Sequence, residues 1–74
     1  MEKGIILEKE NHGTKIVAVI RTDYEEKQVF ASLESMSLMV FDDLEDCEVG
    51  DEVKFLSSFT GDLDGEELNY IEIL

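Results

Sequence analysis

The longest apolar run in this sequence extends only from Ile16 to Ile20, and this short length limits what the chain can form. A membrane-spanning helix needs about 20 apolar residues, and a secretory signal needs a longer apolar stretch than this run, so neither is expected. The run consists mostly of β-branched residues, which favour strands over helices. A chain of 74 residues has room for one small domain. We therefore expect a single soluble domain over residues 1–74, located in the cytoplasm and built from short strands.

Five short strand-like stretches follow one another along the chain, with polar turns between them. They lie within residues 3–10, 14–21, 28–33, 49–59 and 68–74. Asn11 and Gly13 tolerate the positive φ angles of a tight turn between the first two stretches. In the third stretch, the alternation of residues predicts that Val29 and Ala31 share one face and Phe30 and Ser32 the other.

An apolar segment separates the third and fourth stretches. It fits a helical turn or an irregular loop that plugs the end of a barrel, and its apolar residues are Met36, Leu38, Met39, Phe41 and Leu44. In the last stretch, Leu68, Ile73 and either Tyr70 or Ile71 are predicted to pack inward. Together these features predict an all-β fold, a small five-stranded antiparallel Greek-key barrel.

The net charge of −13 is distributed unevenly along the chain. Residues 1–27 hold five cationic and six acidic side chains, whereas residues 28–74 hold one cation, Lys54, and thirteen acidic side chains. The second part of the chain therefore carries −12 of the total charge, and its electric field opposes the approach of a polyanion.

The sequence offers no set of residues that indicates catalysis or metal binding. Cys47 has neither a second cysteine nor a suitably spaced histidine, and its acidic neighbours are expected to raise its thiol pKa. His12 has no cysteine or second histidine as a predicted partner and fits a residue of an exposed turn. The acidic stretch DLDGEE lacks the spacing of a calcium loop and is expected to be solvated. We therefore predict no enzymatic activity, no catalytic residue, no metal and no cofactor.

Five segments, in order, carry a family resemblance: KGIIL, HGTKIVAVI, KQVFASL, LEDCEVGDEVKF and DGEELNYIEIL. Together they resemble the cold-shock domain, a five-stranded OB-fold that binds single-stranded RNA and DNA. HGTKIVAVI stands where members of that family carry a Lys-Gly-aromatic-Gly-aromatic-Ile motif, and KQVFASL stands where they carry Asp-Val-Phe-Val-His-Phe. The resemblance covers nearly the whole chain and implies the OB-fold, with a nucleic-acid face on the first three strands.

The residues with which that family binds nucleic acid are mostly replaced here. Glu8 and Lys9 stand about where a tryptophan and a phenylalanine are expected. Thr14 and Ile16 replace the two aromatic residues of the second-strand motif, so that Phe30 is the ring that still matches directly. Stacking on an aromatic ring contributes about 1–3 kcal/mol per base, so most of the stacking energy is missing.

The sequence is compatible with three functions. The first is a non-catalytic interaction module whose apolar or acidic surface binds a protein. The second is weak binding of single-stranded RNA or DNA, in which Phe30 stacks on a base and four cations contact phosphates: Lys9, Lys15, Arg21 and Lys27.

The third is mimicry of a nucleic acid by the acids of residues 42–67. Its centre is an acidic interaction face formed by Asp42, Asp43, Glu45 and Asp46. None of the three functions involves a membrane or a small-molecule substrate, and we predict a protein as the partner.

Overall fold

Five strands close into a barrel in this computed structural model, which describes residues 1–34 and 38–74. The elements, in chain order, are β1 (Glu2–Asn11), β2 (Lys15–Arg21), β3 (Glu26–Ser32), α1 (Leu38–Asp46), β4 (Glu52–Ser58) and β5 (Glu66–Ile73). Met36 of the predicted plug lies outside the described residues.

The strand order around the barrel is β1-β2-β3-β5-β4, and β4 pairs with β1 to close it. All pairs are antiparallel except β3 with β5, which run parallel over Val29 and Phe30. The predicted all-β fold with five strands in a Greek-key barrel is confirmed.

The β2–β3 hairpin has an unbroken register, whereas β1 contains an irregularity between Ile6 and Glu8. Before this bulge Ile6 pairs with Ile20, and after it Lys9 pairs with Ala18. Because Ile20 and Ala18 both point into the barrel, the bulge turns the Lys9 side chain to the inner side of β1. A regular strand would have placed Glu8 there instead.

The interior is filled by inward side chains of all five strands and of α1. On the helix these are Val40, Phe41 and Leu44, which share one helical face and pack at one end of the barrel. The predicted apolar plug is thus an α-helix, although Met39 lies on its exposed side. The prediction that Ile73 packs inward is wrong, because this last residue of β5 lies at the rim of the barrel. Within residues 1–34 and 38–74, no helix has the length and apolar character needed to cross a bilayer.

Lys9 caps the carboxyl end of α1. The last turn of this helix has no basic residue of its own, and its acidic residues lie unfavourably near the negative end of the helix dipole. The Lys9 Nζ atom donates to the carbonyl oxygens of Glu45 and Cys47, both at 2.6 Å. A cation supplied by β1 therefore satisfies carbonyl groups that the helix leaves unpaired.

We expect the substitution Lys9→Met to lower the free energy of unfolding by about 1–2 kcal/mol, because it removes a charged donor from the helix end. Urea denaturation measures the change. Lys3→Met is the matched control: Lys3 is exposed and, within the described residues, forms no ion pair, so its loss should change stability by less than about 0.5 kcal/mol. Equal effects of the two substitutions would contradict the capping role.

Candidate functional site

OB-fold barrels bind ligands on the outer surface of their second and third strands, between the β1–β2 and β4–β5 loops. Here the outward side chains meet in cross-strand pairs, with Val17 opposite Phe30 and Val19 opposite Gln28. Lys15 begins β2 at the end next to the β1–β2 turn. We call these five side chains the β2–β3 face. The predicted alternation of β3, with Phe30 directed away from Val29, is confirmed.

Phe30 is directed outward but is not open to solvent. Its side chain is only 4% exposed, and it lies outside the cluster that fills the barrel. The Lys15 ammonium nitrogen lies 4.7 Å from the centroid of the Phe30 ring, within the range of a cation–π contact. The one ring retained from the expected stacking platform is thus covered by a neighbouring side chain.

Two carboxylates of the β4–β5 loop hold Lys15 in this position. Its Nζ atom lies 2.9 Å from Asp64 Oδ2 and 3.5 Å from Asp62 Oδ2. The hydrogen bond to Asp64 raises the pKa of Lys15 above its usual value. The backbone N–H of Asp64 donates to Asp62 Oδ1 at 2.8 Å, and this bond, with the charge of Lys15, lowers the pKa of Asp62. Asp62 is therefore ionised at neutral pH, and the oxygens of both carboxylates lie within ion-pair distance of Lys15.

The β4–β5 loop, residues 59–65, fits closely against β3. Gly65 has a φ of +106°, and a Cβ atom at this position would collide with the carbonyl oxygen of Gln28. The loop can approach β3 this closely only because residue 65 has no side chain. Leu63 is 100% exposed and Phe59 82% exposed, so the loop presents two large apolar side chains to solvent.

A shallow cleft of about 240 Å³ lies beside the covered ring. Val17 and Val19 line it together with three acidic residues, Glu8, Glu10 and Asp64, and with Lys9 and His12. Because Lys9 is engaged by the end of α1 and Asp64 by Lys15, Glu8 and Glu10 are the charges left to repel phosphate groups in this cleft.

The structure does not bring the four predicted phosphate-binding cations together. Lys9 contacts the end of α1, and Lys15 is paired with the β4–β5 loop. Lys27 is mostly buried and lies 2.8 Å from Glu2 and 3.6 Å from Glu66; the hydrogen bond to Glu2 raises its pKa.

Arg21 differs from the other three cations. It lies at the opposite end of β2 from Lys15, and no carboxylate of the described residues is within ion-pair distance of it. Of the four, Arg21 is therefore the one whose side chain has neither an ion pair nor a hydrogen bond to another of the described residues, whereas Lys9 contacts carbonyl oxygens.

The four residues of the predicted acidic face are all exposed on α1, where spacings of three and four residues place them next to one another on the side away from the core. Asp43 and Asp46 line a groove between α1 and β5. Glu45 faces the β1–β2 turn, where its Oε2 atom accepts a hydrogen bond from the Asn11 amide at 3.4 Å. Asp42 is exposed and does not line that groove. The four carboxylates thus share the exposed face of α1, with Asp43 and Asp46 on the edge next to β5 and Glu45 on the edge next to the β1–β2 turn.

No group of three His, Cys, Asp or Glu residues in the described ranges is arranged to hold a metal ion. In the DLDGEE stretch, Asp62 and Asp64 are instead paired with Lys15. Cys47 is buried, and its thiol donates to the carbonyl oxygen of Asp43 at 3.2 Å. Burial raises the pKa of the Cys47 thiol, and Asp51 adds to the effect, so burial rather than the acidic neighbours is the larger cause.

The close fit of the loop against β3 predicts different effects of alanine at two of its glycines. Gly61→Ala introduces a side chain at a φ of +82° with open space around it. This substitution should lower the free energy of unfolding by about 1–2 kcal/mol. Gly65→Ala adds a collision with the Gln28 carbonyl and should lower the free energy of unfolding by at least about 1 kcal/mol more than Gly61→Ala does. It should also shift the ring resonances of Phe30. Thermal denaturation and ¹H NMR of the two variants give these values. If both substitutions destabilise the protein equally and leave the Phe30 resonances unchanged, the position of the β4–β5 loop does not depend on the close contact of Gly65 with Gln28.

Comparisons with known proteins agree with the architecture but give no family. No family model matches this chain, and no curated protein matches it. Among solved structures, the chain is similar to that of the tetrameric p202 HIN2, with a TM-score of 0.64 and 19% sequence identity over 97% of this chain. The chain spans 39% of the length of that structure. The likeness, together with the closed five-stranded barrel, shows that the chain has an OB-fold.

Proposed function

We propose that this chain is a non-catalytic interaction module with a degenerate cold-shock-type surface, and that its partner is a protein. One observation carries the proposal: Phe30 is buried beneath Lys15, which is held there by Asp62 and Asp64. The surface on which an OB-fold would stack bases is therefore closed by the protein's own side chains.

The energetics of this face argue against binding of single-stranded nucleic acid. A base stacked on Phe30 would contribute about 1–3 kcal/mol, and the Lys15 contacts with the loop must break before the ring is reached. Phosphates would then meet the carboxylates of Glu8, Glu10 and Asp64 rather than a row of free cations. The stacking energy of one ring is thus opposed by the loss of the Lys15 contacts and by the repulsion between phosphates and carboxylates.

The exposed apolar side chains favour a protein partner. Tyr24, Met39, Phe59 and Leu63 are each at least three-quarters exposed. Aromatic residues and methionine are enriched in the contact surfaces of proteins. The solved relative p202 HIN2 is itself a tetramer, so a protein of similar fold takes part in protein assembly.

Mimicry of a nucleic acid receives less support than binding through apolar contacts. Of the carboxylates that such a mimic would present, Glu45 accepts a hydrogen bond from Asn11, and Asp62 and Asp64 are already paired with Lys15. Part of the negative charge of this segment is therefore neutralised within the fold.

Titration with an oligonucleotide tests the proposal. We expect that adding oligothymidine at low salt, up to millimolar concentration, leaves the backbone amide resonances of residues 14–20 and 29–33 unshifted, because the ring is covered and the cleft is acidic. Saturable shifts confined to these residues, and abolished by Phe30→Leu, would overturn the proposal in favour of nucleic-acid binding. Leucine keeps an apolar side chain at position 30, so the variant tests stacking rather than folding.

A further inference from the structure

The groove between α1 and β5 is separate from the β2–β3 face and shares no residue with it. Its volume is about 390 Å³, within the usual range for ligand sites. Besides the buried Ile71, three of its lining residues are apolar or aromatic, namely Met39, Tyr70 and Ile73, and three are acidic, namely Asp43, Asp46 and Glu72.

Met39, Tyr70 and Ile73 of this groove are open to solvent. Met39 is 75% exposed, Ile73 47% and Tyr70 36%. Met39 lies on α1 and the other two lie near the end of β5, so two different elements contribute to one apolar surface. An unbranched methionine adapts its shape to an incoming side chain, which suits a docking surface.

Tyr70 is held in place before any partner binds. Its hydroxyl donates to Glu72 Oε2 at 2.8 Å, and the same carboxylate oxygen lies 3.3 Å from the Lys54 ammonium. The hydrogen bond raises the pKa of Tyr70 and lowers that of Glu72, so the phenol stays protonated and the carboxylate stays ionised at neutral pH. A pre-positioned aromatic ring loses little conformational freedom on binding.

The remaining charge of the groove comes from α1. Asp43 and Asp46 follow Met39 at spacings of four and seven residues, which places the three side chains along one ridge of the helix. Within the described residues, neither carboxylate forms an ion pair. An apolar side chain is thus followed by two unneutralised negative charges along the same edge of the groove.

We propose that this groove binds a cationic amphipathic segment of a partner protein. Apolar side chains of the segment pack on Met39, Tyr70 and Ile73, while its Lys or Arg side chains pair with Asp43 and Asp46. This inference rests on the proposed function, because it specifies where the protein partner binds and what its chemistry is.

Charge complementarity selects this occupant over the others that an apolar groove admits. A second copy of the chain brings another net charge of −13 to an acidic groove, and an anionic lipid surface or a nucleic acid is repelled in the same way. A cationic segment is attracted by the field of the whole chain and finds both an apolar surface and fixed carboxylates in the groove.

The probe is a synthetic two-heptad peptide of Leu and Lys that forms an amphipathic helix, titrated at physiological salt while backbone amide shifts are recorded. Two control peptides keep the pattern but replace Leu with Ser or Lys with Glu. We expect the Leu/Lys peptide to shift residues 39–46 and 70–73, and both control peptides to bind at least about tenfold more weakly.

Two pairs of substitutions on α1 separate docking in the groove from attraction by net charge. Asp43→Asn with Asp46→Asn should weaken binding of the Leu/Lys peptide about tenfold, and Met39→Ser should have a similar effect. Asp42→Asn with Glu45→Gln removes the same charge from the part of the exposed face of α1 that does not line the groove, and should change the Kd less than about twofold.

Equal weakening by the two pairs of substitutions would overturn the inference, because it would mean that only net charge matters. So would equal binding of the Ser/Lys peptide, or shifts confined to the loop of residues 59–65. In that last case the Leu/Lys peptide still binds, and only the assignment of its binding site to the groove between α1 and β5 is wrong. Failure of the proposed function itself appears in the oligonucleotide titration, as shifts of residues 14–20 and 29–33.

Discussion

The contact of Lys15 with Asp62 and Asp64 determines what the outer surface of this barrel can do. It joins the start of β2 to the β4–β5 loop and places an ammonium group over Phe30. Without it, the β2–β3 face would present an aromatic ring and a free cation, which is the combination used to bind single-stranded nucleic acid. With it, the same residues form a closed, internally neutralised surface, and the side chains left for a partner are apolar or acidic.

The same use of cations recurs elsewhere in this acidic chain. Lys27 joins the beginnings of β1 and β5 through Glu2 and Glu66, Lys9 caps α1, and Lys54 holds the carboxylate that positions Tyr70. With six basic against nineteen acidic side chains, each cation is surrounded by candidate partners, and most of them are paired inside the fold. A binding surface for phosphates requires free positive charge. Here most of the cations instead stabilise the fold and hold the β4–β5 loop in place.

The fold was predictable from the sequence because it depends on local patterns. β-branched runs and turn residues indicated five strands. The alternation in β3 placed the Phe30 and Val29 side chains on opposite faces of that strand. The site was less predictable. Lys15 and Asp64 are 49 residues apart, and neither residue alone indicates the other.

Lys9 was expected on the outer face, but the bulge after Ile6 turns it toward α1, and periodicity cannot reveal a bulge. The exposed ridge of Met39, Asp43 and Asp46 became visible only once the segment was known to be a helix rather than a loop. The central claim, that Phe30 is covered, is tested most directly by relaxation of the phenylalanine ring protons in the presence of a soluble gadolinium chelate. Phe59 and the fully buried Phe55 serve as internal references for an open and a closed ring. We predict that Phe30 relaxes as slowly as Phe55, whereas relaxation as fast as that of Phe59 would contradict the account.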